Sequence, residues 1–431
     1  MQRSIVALSS ILVMHGIGAI YSYNSVFVGP LQAAFGRSAF ETILPFMLVN
    51  FLLGIGGLLG GIWQDRVGPR NVAVVGSALW AIGNVVSGLG LQFGLPWLAF
   101  WYGGVGGIGC GLAYISVVSA MLKWFPKHSG FAGGFAVMPF GFGAVAYGIG
   151  LRQLPASQQL SALMATVTPG QPLASNYAGS IVSNLAGILL ASGLVFAVVG
   201  VAGALLLSDP PNERLKDQPA VTRVSVMLTE SPEFYLLWFM LLINVVGGLI
   251  VISNVVPILQ ELTGAPLPLV VTLYSVLAAA NGLGRIGLGA LSDRIGRRLT
   301  FNIIFGAQGA AYLMLATGLV NNLWFGALIV TIVLACYGGG FGTMPGFAAD
   351  IFGVRRFGTT YGLVLTAWGV AGLIGPSVGV AIKSMGLGAS VSLTPISLLM
   401  IMGLLFPLVI ESKRRSEAAS APLPASPSAA S

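Results

Sequence analysis

Arg285 is the residue from which chemistry can first be read. It sits in an apolar run that begins near Pro266, eight residues before Asp293 in the charged segment Asp293, Arg294, Arg297, Arg298. A helix rises about 1.5 Å per residue, so the guanidinium lies roughly 12 Å inside the boundary that segment marks. If the run spans a bilayer core of about 30 Å, Arg285 is near the midplane. A permanent cation there costs at least about 2.5–3.5 kcal/mol, tolerated where the side chain faces a cavity and has a task. Guanidinium presents a planar fork that matches a carboxylate through two parallel hydrogen bonds. Asn281, four residues earlier, shares its helix face. Its amide can bond an anion or a hydroxyl but cannot take up a proton. Gly282, Gly284, Gly287 and Gly289 keep the surrounding helix thin. These residues read as a site for a small anion. The alternative is an arginine tied to helix-end carbonyls or to a lipid headgroup.

The chain that must position these groups is 431 residues long, 56% hydrophobic and only 7% charged. Soluble domains carry about 25% charged residues, so a soluble globular protein is excluded. Sixty-one glycines suit closely packed transmembrane helices. Apolar segments of spanning length fall at 5–30, 40–63, 72–92, 96–122, 130–151, 177–207, 233–260, 267–291, 299–320, 323–349, 357–382 and 390–410. The expectation is an all-α membrane protein with twelve transmembrane helices in two six-helix bundles. The first bundle covers 1–207 and the second 233–412, joined by a charged linker at 208–232 and followed by a disordered tail at 413–431. The other long connection is the polar stretch 152–176. Met1-Gln2-Arg3 and the run after it resemble a signal peptide, but no convincing cleavage site follows, so the run reads as a first membrane helix.

The net charge of +8 does not signal nucleic acid, because the basic residues cluster in short loops between apolar runs. The side carrying the termini holds Arg3, Arg66, Arg70, Lys123, Lys127, Arg214, Lys216, Arg223, Arg294, Arg297, Arg298, Arg355, Arg356, Lys413, Arg414 and Arg415. The opposite side holds Arg37, Arg152 and Lys383. That asymmetry places both termini in the cytoplasm, with a bacterial inner (plasma) membrane as the expected location. All twelve acidic residues fall in loops or at helix ends, so Arg285 has no carboxylate at its own depth. Cys110 and Cys336 lie in apolar segments without metal-type spacing and read as packing. There is no Walker-type loop, metal cluster or nucleophile–base pair, so neither an enzyme nor a cofactor is expected. His15 is the one histidine inside an apolar run; His128 falls in a loop.

The chain repeats itself. Gly61-Ile-Trp-Gln-Asp65-Arg66-Val-Gly68-Pro-Arg70 follows the second run, and Gly289-Ala-Leu-Ser-Asp293-Arg294-Ile-Gly296-Arg297-Arg298 follows the eighth. Both read G-x-x-x-D-R-x-G-x-R, at the same place in each half. In this the sequence resembles the major facilitator superfamily over essentially its whole length. The resemblance implies alternating access by rocking of two bundles. It also implies that the loop motif (Gly61, Asp65, Arg66; Asp293, Arg294) latches the halves on the cytoplasmic side, its aspartates pairing with helix N-termini or basic groups.

A narrower resemblance is to the branch of monocarboxylate transporters and the oxalate–formate antiporter. It is carried by Tyr21-Ser-Tyr23, Lys123-Trp-Phe-Pro-Lys-His-Ser-Gly130, Asn244-Val-Val-Gly-Gly, Asn254-Val-Val-Pro257, Asn281-Gly-Leu-Gly-Arg285 and Asp350-Ile-Phe-Gly353. It implies that Arg285 binds the substrate carboxylate, with Asn281 beside it and aromatic walls at Tyr114, Phe140 and Tyr337. Tyr21, Tyr23, Asn24, Phe341 and Trp368 are further candidates, with helix packing as the alternative for every aromatic. Two departures are informative. The oxalate carrier has a second membrane cation where this chain has Trp368, and one cation would leave a dianion half compensated. The lactate carriers place an acid where this chain has Asn281.

The implied partner is therefore a small monocarboxylate anion of lactate or pyruvate size, in a membrane lipid setting. Resemblance to the lactate carriers implies proton symport, with His15, a tyrosine or the substrate itself left to hold the proton. Resemblance to the antiporter implies anion exchange. A receptor built on a transporter fold, or a drug efflux carrier, fits the short termini and the lone central cation less well.

Overall fold

The computed structural model describes residues 2–151, 153–166, 175–211, 227–228, 230–266, 269–270, 273, 276–385 and 389–410. These are helical throughout, with no strand among the described residues. Among the described residues, twelve helices have fifteen residues or more. In the first half they are α1 (Gln2–Gly18), α2 (Ala39–Val67), α3 (Pro69–Leu89), α4 (Gly107–Trp124), α5 (Ser129–Leu151) and α6 (Ser175–Leu205). In the second half they are α7 (Pro232–Thr263), α8 (Ala279–Ile295), α9 (Arg297–Ala316), α10 (Leu323–Phe352), α11 (Phe357–Ser384) and α12 (Ala389–Gly403). Ten helical spans among the described residues are long and apolar enough to cross a membrane. Leu89, Phe100, Val198, Trp324 and Leu405 stay exposed on the outside, while Asn50, Asn84, Asn244, Gln308 and Arg285 are buried. Large apolar side chains on the outside, with a few polar groups buried in an otherwise apolar interior, suit lipid as the solvent.

Local chemistry sets the boundaries. Ser38 caps α2 in a reciprocal box with Glu41: Glu41 N donates to Ser38 Oγ at 3.2 Å, and Ser38 N to Glu41 Oε2 at 2.9 Å. Asn322 caps α10 by accepting from Phe325 N at 2.9 Å. The second glycine of each motif copy makes the turn after it. Gly68 has φ 85° and Gly296 φ 87°, a region other residues enter only at a cost. The doubled motif is thus a pair of identical hairpin turns.

α1–α6 pack among themselves, as do α7–α12, and the halves meet along two seams, α2 with α11 and α5 with α8 and α10. Small residues let the backbones touch there. A Cβ on Gly61 would strike the Gly358 carbonyl, one on Gly54 the backbone of Gly369, and one on Gly134 the Arg285 carbonyl.

Three features differ from the sequence expectation. The stretch 152–176 contains a further helix, Pro155–Thr166, whose Leu160 is buried and which packs on α6. Its apolar positions Leu160, Leu163 and Met164 lie within one turn, too short a stripe to register as an element. The first run does not stay α-helical: after Gly18 it tightens at Ala19–Ser22, widens at Asn24–Val28 and resumes as Gly29–Phe35. α4 is preceded by a widened stretch, Ala99–Gly106, where glycines occupy 103, 104 and 106. Most of the linker expected at 208–232, the tail at 413–431, Arg152, and the side chains of Asn24, Asn254, Pro257 and Lys383 lie outside the described residues.

Candidate functional site

Arg285 is fully buried at the seam between the halves. Its backbone is clamped from both sides, because Gly134 on α5 and Gly342 on α10 both approach its carbonyl with no side chain between. Its Nε donates to Asn281 Oδ1 at 3.1 Å, so the helix spacing read from the sequence produces a real contact. Asn281 in turn donates to the Leu334 carbonyl at 3.5 Å. Phe140 and Phe341 flank the guanidinium, with its carbon 5.2 Å and 4.8 Å from their ring centroids. Each such face is worth about 0.5–2 kcal/mol to a desolvated cation.

Neither terminal nitrogen of the guanidinium makes a hydrogen bond of good geometry within the protein, although the hydroxyls of Tyr21 and Tyr114 approach the group. Their N–H groups form the half of the fork that a carboxylate would take. Leaving donors of a charged group buried and unmade is expensive, which makes a protein-only explanation of this arginine poor.

Aromatic side chains from both halves complete the surround. Tyr21 of the first half and Tyr337 of the second share a hydrogen bond between hydroxyls at 2.7 Å. Both hydroxyls, and that of Tyr114, lie within electrostatic reach of Arg285. Trp368 packs edge-on to Phe341 at 4.5 Å, Tyr114 at 5.3 Å and Phe140 at 5.4 Å between centroids. Its indole N–H donates to Asn50 Oδ1 across the seam at 3.0 Å. Tyr114, Phe140, Tyr337 and Trp368 are fully buried and Tyr21 is 8% exposed. The structure therefore gathers Arg285, Asn281, Tyr21, Tyr114, Phe140, Tyr337, Phe341 and Trp368 around one point. Tyr23 falls elsewhere, stacked on Phe27 and Phe46. His15 lies on α1 with a buried, unpartnered Nδ1.

Sequence reasoning missed two members of this surround. Tyr361 on α11 is buried with an unpartnered hydroxyl close to Tyr114 and within electrostatic reach of Arg285. Asn50 on α2 holds the Trp368 indole. Neither belongs to a quoted motif, and only the three-dimensional path of α2 and α11 brings them in. Asn244 supports the site from behind: its amide donates to the Tyr337 carbonyl at 3.1 Å.

The motif side of the seam is shut. Asp293 accepts from Gly130 N at 2.9 Å and Phe131 N at 2.7 Å, the first amides of α5. Asp65 does the same for α11, accepting from Thr359 N at 2.8 Å and Thr359 Oγ1 at 2.7 Å. A carboxylate on a helix N-terminus gains from the dipole and the free amides together. The ionic part of the latch is Arg297, which pairs with Asp293 at 2.8 Å and Asp350 at 2.9 Å and donates to Ser129 Oγ at 2.6 Å and to Ser292 Oγ. Arg66 and Arg294, the arginines that follow the motif aspartates, are exposed and make no ion pair among the described residues. The sequence reading gave Arg297 no latch role because the first motif copy has Pro69 in its place.

Comparison with known proteins gives the arrangement its family. The family model of the Major Facilitator Superfamily matches residues 8–376. An MFS-type transporter of Escherichia coli K12, YhjX, is 26% identical over 86% of this chain and 86% of its own. The oxalate:formate antiporter of Oxalobacter formigenes is 25% identical, covering 87% of this chain and 84% of its own. The apicoplast pyruvate carrier 1 of Toxoplasma gondii is 25% identical over 72% of this chain and 64% of its own. Among solved structures, the transporter FucP in its outward conformation superposes with TM-score 0.69 at 15% identity, covering 94% of this chain and 98% of its own. Two helical bundles meeting at a buried cation, shut on one side by a doubled loop motif, and a family match from residue 8 to 376, place this chain in the Major Facilitator Superfamily as a multi-pass secondary transporter.

Proposed function

We propose that this transporter carries a small monocarboxylate of lactate or pyruvate size together with a proton, binding the carboxylate at Arg285. The observation that carries the reading is the pair of buried, unpartnered guanidinium nitrogens held between Phe140 and Phe341. Two parallel N–H donors fit one carboxylate. Tyr21, Tyr114 and Tyr337 offer hydroxyls to a 2-hydroxy or 2-oxo group. Trp368 is neutral, so a second carboxylate would lack a counter-charge, which supports a monoanion over oxalate. Relatives named as a pyruvate carrier and an oxalate:formate antiporter support a carboxylate as the class of substrate.

Substrate binding cancels the charge of Arg285, and this neutralisation lowers the cost of closing the seam over it. The motif side faces the cytoplasm of a bacterial inner membrane, in keeping with the basic residues crowded there. A second reading is exchange of one carboxylate for another, favoured by the resemblance to the antiporter. Labelled lactate uptake into proteoliposomes separates the two. Accumulation driven by an inward proton gradient with empty vesicles supports symport; accumulation only with internal carboxylate supports exchange. Undiminished uptake by Arg285→Gln would remove the mechanism.

A further inference from the structure

The two halves of the latch are built unequally. Asp293 is satisfied at both oxygens, by two amides of α5 and by Arg297. Asp65 uses only Oδ2, for the amide and hydroxyl of Thr359. Its Oδ1 is buried and makes no hydrogen bond of good geometry, the Gly358 amide being the donor that approaches it. Beside it Gln64, 1% exposed, has both carboxamide atoms unpartnered. Gln64 Nε2 and Asp65 Oδ1 both lie over Gly358 at the start of α11, where a Cβ on that glycine would strike them. A native interior seldom leaves three such atoms unmade without a use for them.

Other unpartnered atoms connect this spot to the central site. Tyr361 lies one turn along α11 from Gly358, and its free hydroxyl is close to the free hydroxyl of Tyr114 beside Arg285. Ser119 on α4, also unpartnered, is one turn from Ile115, which packs against Gly60 of α2. Lys123 is the next residue on that face. Among the described residues it is the charged group within electrostatic reach of Asp65, and its ammonium is engaged by Asp209 at 3.2 Å. On α3 the nearest cation, Arg70, donates to the Leu207 carbonyl at 3.0 Å. On α11 the titratable group near this end is Tyr361, with Arg355 and Arg356 in the turn before the helix and Lys383 at the far end. Among the described residues Asp65 is thus a carboxylate inside the seam with no direct cation partner.

We propose that Asp65 accepts the transported proton at Oδ1, and that this protonation frees the α2–α11 half of the latch. The assignment rests on the proton-symport reading above and names its carrier. A proton entering with the anion passes along the hydroxyls of Tyr114 and Tyr361, each taking one proton and giving one. An O–H bond forms on Asp65, and Gln64 supplies an acceptor alongside. The neutral acid loses its charge-assisted bond to Thr359 N and its attraction to the α11 N-terminus. α11 then separates from α2, the site opens on the motif side, and the proton leaves to water with the substrate. Asp293 keeps its ion pair with Arg297 throughout.

The test uses the full chain in proteoliposomes, with labelled lactate and an internal pH dye. Wild type should couple proton influx to lactate uptake. Asp65→Asn should keep lactate counterflow at equal pH but lose accumulation driven by a pH gradient, together with lactate-induced proton influx, by tenfold or more. Asp65→Glu should restore proton influx, and Asp293→Asn should retain the proton-to-lactate ratio. If Asp65→Asn still brings in protons with lactate, or if its counterflow falls as far as its gradient-driven uptake, Asp65 is a latch only and the assignment is wrong. A wild type that takes up lactate without protons would instead overturn the symport reading itself.

Discussion

Replacing Arg285 by lysine keeps the charge and removes the geometry, so it isolates what the guanidinium contributes. Three losses can be counted from the structure. A carboxylate would keep one of its two N–H bonds, and a bond to a charged group is worth about 1.5–3 kcal/mol. The Nε bond to Asn281 at 3.1 Å disappears. An ammonium also cannot lie flat between Phe140 and Phe341, whose centroids are 5.2 Å and 4.8 Å from the guanidinium carbon. The first loss alone predicts a rise in Kd of about 10- to 150-fold, taking 1.4 kcal/mol per factor of ten. Equilibrium binding of labelled lactate to the purified protein in nanodiscs measures it without transport. Asn281→Ala should weaken binding by about 5-fold in the arginine background, as the loss of roughly one net hydrogen bond. In the lysine background the same change should cost little, because the contact is already gone. A lysine variant that binds within about threefold of wild type, a difference under 1 kcal/mol, would refute the fork.

Other expectations concern the surround and the latch. Tyr337→Phe removes one hydroxyl of the 2.7 Å pair with Tyr21 and should lower lactate uptake relative to propionate by about 5-fold, the worth of roughly one hydrogen bond. Trp368→Lys supplies the second cation that a dianion needs, so oxalate should compete with labelled lactate in the variant and not in the wild type. Arg297→Met breaks the ion pairs to Asp293 and Asp350; a cysteine at buried Thr343, in a chain lacking Cys110 and Cys336, should then react several-fold faster with a thiol reagent added on the motif side. Gly296→Ala forces a Cβ onto a φ of 87° and should destabilise by about 1 kcal/mol or more, read as a lower melting temperature in detergent.

The fold was legible because lipid imposes long apolar runs and the motif announces the duplication at Gly61 and Gly289. Asn281 was legible beside Arg285 because one turn of helix sets their spacing before any tertiary contact forms. What could not be read depends on how separate helices meet. Tyr361 and Asn50 reach the site through the close packing of α2 on α11, which glycines at 54, 61, 358 and 369 permit but do not announce. Arg297 was hidden by a comparison of two copies that differ at that position. The helix Pro155–Thr166 went unread because its apolar face is a single turn long.

Asn50 and Trp368, like Tyr21 and Tyr337, belong to opposite bundles, yet each pair is joined by one hydrogen bond. The chamber around Arg285 is therefore a mould in two pieces rather than a hole in one. Whenever the bundles rock, its walls come apart, and an anion bound there as proposed would be let go by dismantling its container. Grip must then vary with conformation, strongest where both pieces meet, so a rigid compound spanning both would freeze the carrier at mid-stroke.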